Sequence, residues 1–82
     1  MYKMIDIKHR LNQIFAEKFG LDQSSDLSDV SMASLTNWDS FSHMELMIEL
    51  QDQFGLGKLD GDDLMRLVSY EKILKFLNEH RS

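Results

Sequence analysis

The stretch that decides the fold of this chain is residues 38–55, which read WDSFSHMELMIELQDQFG. Asp39 has the short polar side chain that commonly caps a helix, and no proline or glycine occurs in residues 40–54. Gly55 follows as a stop, because glycine readily adopts the left-handed conformation that ends many helices. This pattern predicts a helix over residues 40–54.

The predicted helix has two apolar faces when its residues are placed about 100° apart around the axis. One face collects Leu46, Met47, Leu50 and Phe54. The nearly opposite face collects Phe41, Met44 and Ile48, with Glu45 and Asp52 at its edges. Since one side of a helix in a small bundle meets water, we expect the first face to be core and the second to be a contact surface. A helix buried on both sides is the alternative interpretation.

Two further helices follow from apolar spacing of the helical kind. The first covers residues 3–19, and the last begins near Tyr70 with Ser69 as its cap. Acids at Asp60 and after it predict a short helix just before the last one.

Residues 20–37 keep no sustained period and are rich in Asp, Ser and Asn. They predict a long loop, with Leu27, Val30 and Leu35 holding it to the core. We therefore expect one domain over residues 1–82, of the all-α class: a small four-helix bundle with a short third helix and a long loop after the first.

Charge is distributed unevenly along the chain. The net charge is -5, and residues 19–57 hold seven acids without a single Lys or Arg. Such a segment projects negative potential. It disfavours nucleic acid and anionic membranes as partners, because both require basic residues, and it favours a basic protein surface. A role in solubility alone is the alternative interpretation.

Signatures of catalysis are weak. Ser40 and His43 are three residues apart, so their side chains could approach each other on a helix. The Gly-x-Ser-x-Gly elbow of hydrolases is nevertheless missing around Ser40. We interpret His43 as a partly exposed helix residue or a partner contact, and we expect no catalysis by this chain alone.

Metal and phosphate motifs are also missing. Asp60, Asp62 and Asp63 lack the closing Glu of a calcium loop, so we interpret them as acids favouring a helix start. His9 and His80 have no partner at metal-ligand spacing, and there is no glycine-rich phosphate loop.

Location can be inferred only in outline. No apolar run is long enough to span a bilayer, and charged residues interrupt the first residues where a signal peptide would be apolar. The chain has no cysteine, which suits a reducing compartment. We expect a cytoplasmic protein.

The run from Trp38 to Leu46, followed by Leu50 and Phe54-Gly55, resembles the acyl carrier protein family. In that family, Asp-Ser-Leu opens a helix of apolar and acidic residues that ends in Phe. The passage from Leu67 to Ile73 also resembles the family's link between its third and last helices.

The resemblance implies a role for each matching residue. Ser40 matches the serine that receives 4'-phosphopantetheine from coenzyme A, and Asp39 matches the acid before it. The partner-recognition face of the family falls on Phe41, Met44, Glu45, Ile48 and Asp52. The implied partners are a phosphopantetheinyl transferase and the acyl-loading, acyl-transfer or condensing enzymes of a pathway, with basic docking surfaces.

Some positions depart from the family pattern. Phe41 replaces the usual Leu, and Ser42 and Gln51 are neutral where fatty-acid carriers often have acids. Trp38-Asp39-Ser40 is more similar to stand-alone carriers of specialised pathways, such as polyketide synthesis. An aminoacyl or peptidyl carrier using the same serine, and a small helical adaptor without any prosthetic group, are the alternatives.

Overall fold

The computed structural model describes residues 7–22 and 26–80. Within these ranges the chain forms four helices: α1 (Ile7–Phe19), α2 (Ser40–Phe54), α3 (Gly61–Arg66) and α4 (Tyr70–His80). The predicted all-α fold with a short third helix is confirmed. Residues 3–6 of the predicted first helix lie outside the described part. None of the four helices is both long and apolar enough to cross a membrane.

The ends of α2 and the start of α3 are fixed by side-chain caps and by a glycine. The Asp39 carboxylate accepts a hydrogen bond from the Ser42 N–H, which caps the start of α2. Gly55 ends α2 in the left-handed region at φ 61°. At the start of α3, Asp60 and Asp63 each accept from the other's backbone N–H. The acids at residues 60–63 thus serve a helix start, as predicted.

The core is organised around an aromatic cluster formed by α1, α4 and Trp38, which lies two residues before α2. The ring of Phe15 meets those of Trp38 and Tyr70 edge-on, each at 5.4 Å between centroids. Phe19 stacks on Trp38 at 5.3 Å. The Tyr70 hydroxyl donates to the side chain of Asn12. Trp38 is therefore a central core residue that joins the loop to α1, a role that its isolated position in the sequence does not indicate.

The long loop is held as predicted. Leu27 is buried, and Val30 and Leu35 are half-buried against the core. The loop also forms an antiparallel bridge between Ser31 and Ser69. The bridge fastens the loop to the link between α3 and α4, and two backbone hydrogen bonds, from Met32 to Val68 and from Tyr70 to Val30, strengthen this attachment.

Candidate functional site

Ser40 is the first residue of α2, and its side chain is exposed. Its hydroxyl makes no hydrogen bond to any residue that the structure describes. The cap at Asp39 and the first turn of α2 hold its backbone in place. A hydroxyl that is accessible, unbonded and fixed at a helix start can accept a group delivered by another protein.

Asp39, the residue directly before Ser40, contributes a carboxylate to the start of α2. Its backbone is extended, at φ -103° and ψ -172°, and its carboxylate accepts from the Ser42 N–H at 2.9 Å. That backbone hydrogen bond, together with one from the Ser42 hydroxyl, holds the pKa of the Asp39 carboxyl below its ordinary value. Asp39 is consequently ionised at neutral pH.

The two faces of α2 separate as the helical wheel predicts. Leu46, Met47 and Leu50 are buried with at most 1% of their surface exposed, and Phe54 is half-buried against the same core. On the other side, Phe41 is 72% exposed, Met44 46% and Ile48 62%. The alternative of a helix buried on both sides is wrong for this chain.

We call Phe41, Met44 and Ile48, with the acids Glu45 and Asp52, the α2 face. Large apolar side chains that stay in water beside acids are typical of a surface that another protein covers. The face begins at the residue next to Ser40. A protein docked on it would therefore lie beside the exposed hydroxyl.

Charges from α1 reach α2, which the sequence alone did not indicate. The Lys18 ammonium lies 3.5 Å from the Glu45 carboxylate, whose side chain is still half-exposed. Arg10 donates to the side chain of Gln53 at 2.7 Å. The segment over residues 19–57 has no base of its own, but the folded chain lays two bases of α1 along α2.

His43 corrects an expectation from the sequence. It is not a partly exposed residue or a partner contact, because only 7% of its surface is exposed. The Trp38 indole N–H donates to its Nδ1 at 3.1 Å, and its Nε2 lies 2.7 Å from the carbonyl oxygen of Leu64. Both ring nitrogens are engaged, so His43 offers no free base to Ser40. The physical reason is the Trp38 ring, which lies alongside the imidazole and shields it from water.

Met65 was missed from the sequence. Its side chain is 78% exposed on α3, the largest exposure among the exposed large apolar residues of the described chain. The Leu64 carbonyl bound to His43 directly precedes it, so the backbone of Met65 lies next to α2. A six-residue helix carries too little periodicity to show from sequence which of its residues face water.

Metal binding finds no support in the geometry. Among residues 7–22 and 26–80, no group of three or more His, Cys, Asp or Glu side chains could hold an ion. Asp63 accepts a hydrogen bond from the Arg66 guanidinium, which is the main cause holding its carboxyl pKa below the ordinary value. Asp60 and Asp63 are thus already engaged in the cap of α3 and in this pair.

Comparison with known proteins finds a relative of similar length. No family model matches the chain. The chain is similar to a protein named acyl carrier protein from Rubrobacter xylanophilus, with 23% identity over 77 residues, which are 94% of each chain. The match runs over nearly the whole length of both proteins. Together with the small all-α bundle, it supports an acyl carrier role in general terms.

Proposed function

We propose that this chain is an acyl carrier protein of a dedicated biosynthetic pathway, with Ser40 as the attachment point of a 4'-phosphopantetheine arm. When bound, that group supplies a thiol on which acyl intermediates are held as thioesters. The chain itself is proposed to be a non-catalytic carrier, a substrate of other enzymes. The observation that supports this best is the exposed Ser40 hydroxyl at the start of a helix whose outer face is apolar and acidic.

The residues at Ser40 fit such an arm. Attachment requires the Ser40 oxygen to attack a phosphorus of coenzyme A, forming a phosphodiester while the nucleotide portion leaves. This needs access to the hydroxyl from outside, and Ser40 is exposed and unbonded among the described residues. His43 cannot act as the base for this step, because both of its ring nitrogens are engaged. A separate transferase would therefore supply the proton acceptor.

The α2 face is the proposed docking surface for that transferase and for the pathway enzymes. Phe41, Met44 and Ile48 would supply apolar contact, and Glu45, Asp52 and Asp39 would attract basic side chains. Glu45 would have to exchange its contact with Lys18 for one with the partner. Since the Glu45 side chain is half-exposed, water screens this contact and the exchange costs little.

The decisive experiment is an intact-mass measurement after coexpression with a promiscuous phosphopantetheinyl transferase. The expected result is the gain of one phosphopantetheine, and peptide mapping should find it on the fragment with Ser40. Ser40→Ala should remain folded and unmodified, because an exposed hydroxyl contributes little to stability. Ser42→Ala is the matched control, and it should be modified like the wild type.

The other possible outcomes of this experiment bear on the function, on the serine and on the cargo. An unmodified wild type would favour the small helical adaptor over any carrier. An adduct on Ser42, or a modified Ser40→Ala, would overturn the assignment of the serine. If Ser40 is modified, the mass of the cargo isolated from the native host would separate an acyl carrier from an aminoacyl or peptidyl carrier. The cytoplasmic location stays a prediction, which cell fractionation would test.

A further inference from the structure

The two partners of His43 determine which of its ring nitrogens carries the proton. An indole N–H can only donate, so Nδ1, which meets the Trp38 N–H at 3.1 Å, must be the acceptor. A carbonyl can only accept, so Nε2, at 2.7 Å from the Leu64 oxygen, must donate. His43 is therefore held as the Nε2–H tautomer, bridging Trp38 and α3.

The Leu64 carbonyl lies at the end of α3, where a helix leaves its last carbonyl groups without intrahelical donors. In a longer helix the Val68 N–H would bind this carbonyl. Here Val68 donates instead to the Arg66 carbonyl at 2.9 Å, and Leu67 donates to Asp63 at 3.0 Å. The imidazole N–H of His43 replaces the missing backbone donor, so a side chain of α2 caps the end of α3.

The side chains of α3 itself contribute little to holding this helix in place. None of its six residues is buried, and Leu64 is only half-buried against the core. The buried anchors, Leu59 and Leu67, lie just outside the two ends of the helix. A short helix with no buried side chain depends strongly on a hydrogen bond from a rigid neighbour.

We propose that His43 is a positioning residue that fixes α3 against α2, and that it thereby brings Met65 to the α2 face. This inference rests on the proposed function only for its last step, that the combined surface docks partner enzymes. The bond from Nε2 to Leu64 holds α3, while the bond from Trp38 to Nδ1 fixes the ring and its tautomer. Met65 is 78% exposed and directly follows Leu64, whose carbonyl contacts His43. It would thus add apolar surface on α3 to that of Phe41 and Met44 on α2.

Two variants separate the two bonds of the imidazole. The side-chain oxygen of an asparagine sits where Nδ1 sits, so His43→Asn can still accept from Trp38 but cannot reach Leu64. The amide nitrogen of a glutamine sits where Nε2 sits, so His43→Gln can still donate to Leu64. His9→Gln is the control, since His9 is an exposed histidine on α1.

Amide hydrogen exchange by NMR tests the positioning directly. His43→Asn should speed exchange at Leu67 and Val68 by about tenfold, the usual effect of losing one hydrogen bond. His43→Gln and His9→Gln should stay within about twofold of the wild type. The Ile73 N–H of α4 donates to the Ser69 carbonyl, and its exchange rate should be unchanged in all variants. Nitrogen NMR of the wild-type ring should show a protonated Nε2 and an unprotonated Nδ1.

Steady-state modification of Ser40 by the transferase tests the functional step. His43→Asn should raise KM by about tenfold with kcat nearly unchanged, and His43→Gln should restore KM. The positioning role would be overturned if exchange at Leu67 and Val68 were equally fast in all proteins. It would also be overturned if both His43 variants changed the exchange rate and KM equally. Faster exchange with an unchanged KM would keep that role and overturn the link to docking. If even the wild type is not modified, the proposed function fails, while exchange and tautomer still decide the role of His43.

Discussion

At the scale of single residues, Asp39 serves both the helix and the candidate site. Its carboxylate caps α2, and the residue directly precedes Ser40 in the chain. We predict that Asp39→Ala lowers the melting temperature by a few degrees, because the Ser42 N–H loses its acceptor. Asp39→Asn should retain most of the wild-type stability, since asparagine caps helices about as well. Thermal melts followed by circular dichroism would measure both.

The same carboxylate predicts a pH dependence. The Ser42 hydrogen bonds lower the pKa of Asp39 in the folded chain relative to the unfolded one. Its contribution to stability is then fully present above the unfolded pKa of about 4 and is lost as the pH falls through the lowered folded value. The gap in melting temperature between the wild type and Asp39→Ala should therefore be constant near neutrality and shrink below about pH 4. A gap that stays the same down to pH 2 would contradict this cause.

Trp38 carries a third prediction at this scale. Its ring is 1% exposed and contacts Phe15, Phe19 and His43. Trp38→Ala should lower the free energy of unfolding by about 3–5 kcal/mol, which is close to the whole stability of a small domain. Trp38→Phe keeps an aromatic ring but removes the N–H donor to His43, so we expect a smaller loss. Urea titrations followed by circular dichroism would rank the two variants.

At the scale of one element, α2 separates stability from binding on its two faces. Leu46→Ala and Leu50→Ala remove fully buried side chains and should each lower the free energy of unfolding by about 2–5 kcal/mol. Met44→Ala and Ile48→Ala change exposed side chains and should alter it by about 0.5 kcal/mol or less. The two leucine variants serve as matched controls for truncation in the same helix.

Partner binding should show the opposite order. If the α2 face docks enzymes, Met44→Ala and Ile48→Ala should each weaken transferase binding by about 1–2 kcal/mol, as central interface residues do. Isothermal titration with the transferase, alongside the melts, measures both quantities on the same samples. If Met44→Ala and Ile48→Ala melt like the wild type and bind the transferase as tightly, these residues have no docking role.

At the scale of the whole molecule, the charge distribution predicts salt-dependent association. The seven acids and the missing bases of residues 19–57 should steer a basic partner, so added salt should slow association far more than it changes dissociation. Lys18→Gln removes the base nearest Glu45 and should make association faster at low salt. Stopped-flow measurements with the transferase would test this. Association that does not respond to salt would leave the acids a role in solubility only.

The single-domain prediction also belongs to this scale. Buried side chains of α1, α2, α4 and the loop form one cluster. We therefore expect one cooperative unfolding transition, with coincident curves from Trp38 fluorescence and far-ultraviolet circular dichroism. Two separated transitions would contradict a single domain.

Local sequence patterns were enough to predict much of this architecture. The two ends of α2 are set locally. The cap at Asp39 and the stop at Gly55 each depend only on residues within about one helical turn of that end. The two faces of α2 follow from helical periodicity alone, which is why the exposure of Phe41 and Ile48 agrees with the wheel. The amino-acid sequence by itself thus determined the helices, the core side of α2 and the position of Ser40 at its start.

Only the tertiary structure decided which groups surround the side chains of α2. The partner of His43 on α3 is 21 residues further along the chain, and the partner of Glu45 lies on α1. A helical wheel shows only where a residue points on its own helix and not which neighbour lies there. Burial of a polar ring requires both a shielding surface, supplied by Trp38, and a hydrogen-bond acceptor, supplied by Leu64. These groups come together only when the loop, α2 and α3 pack against one another.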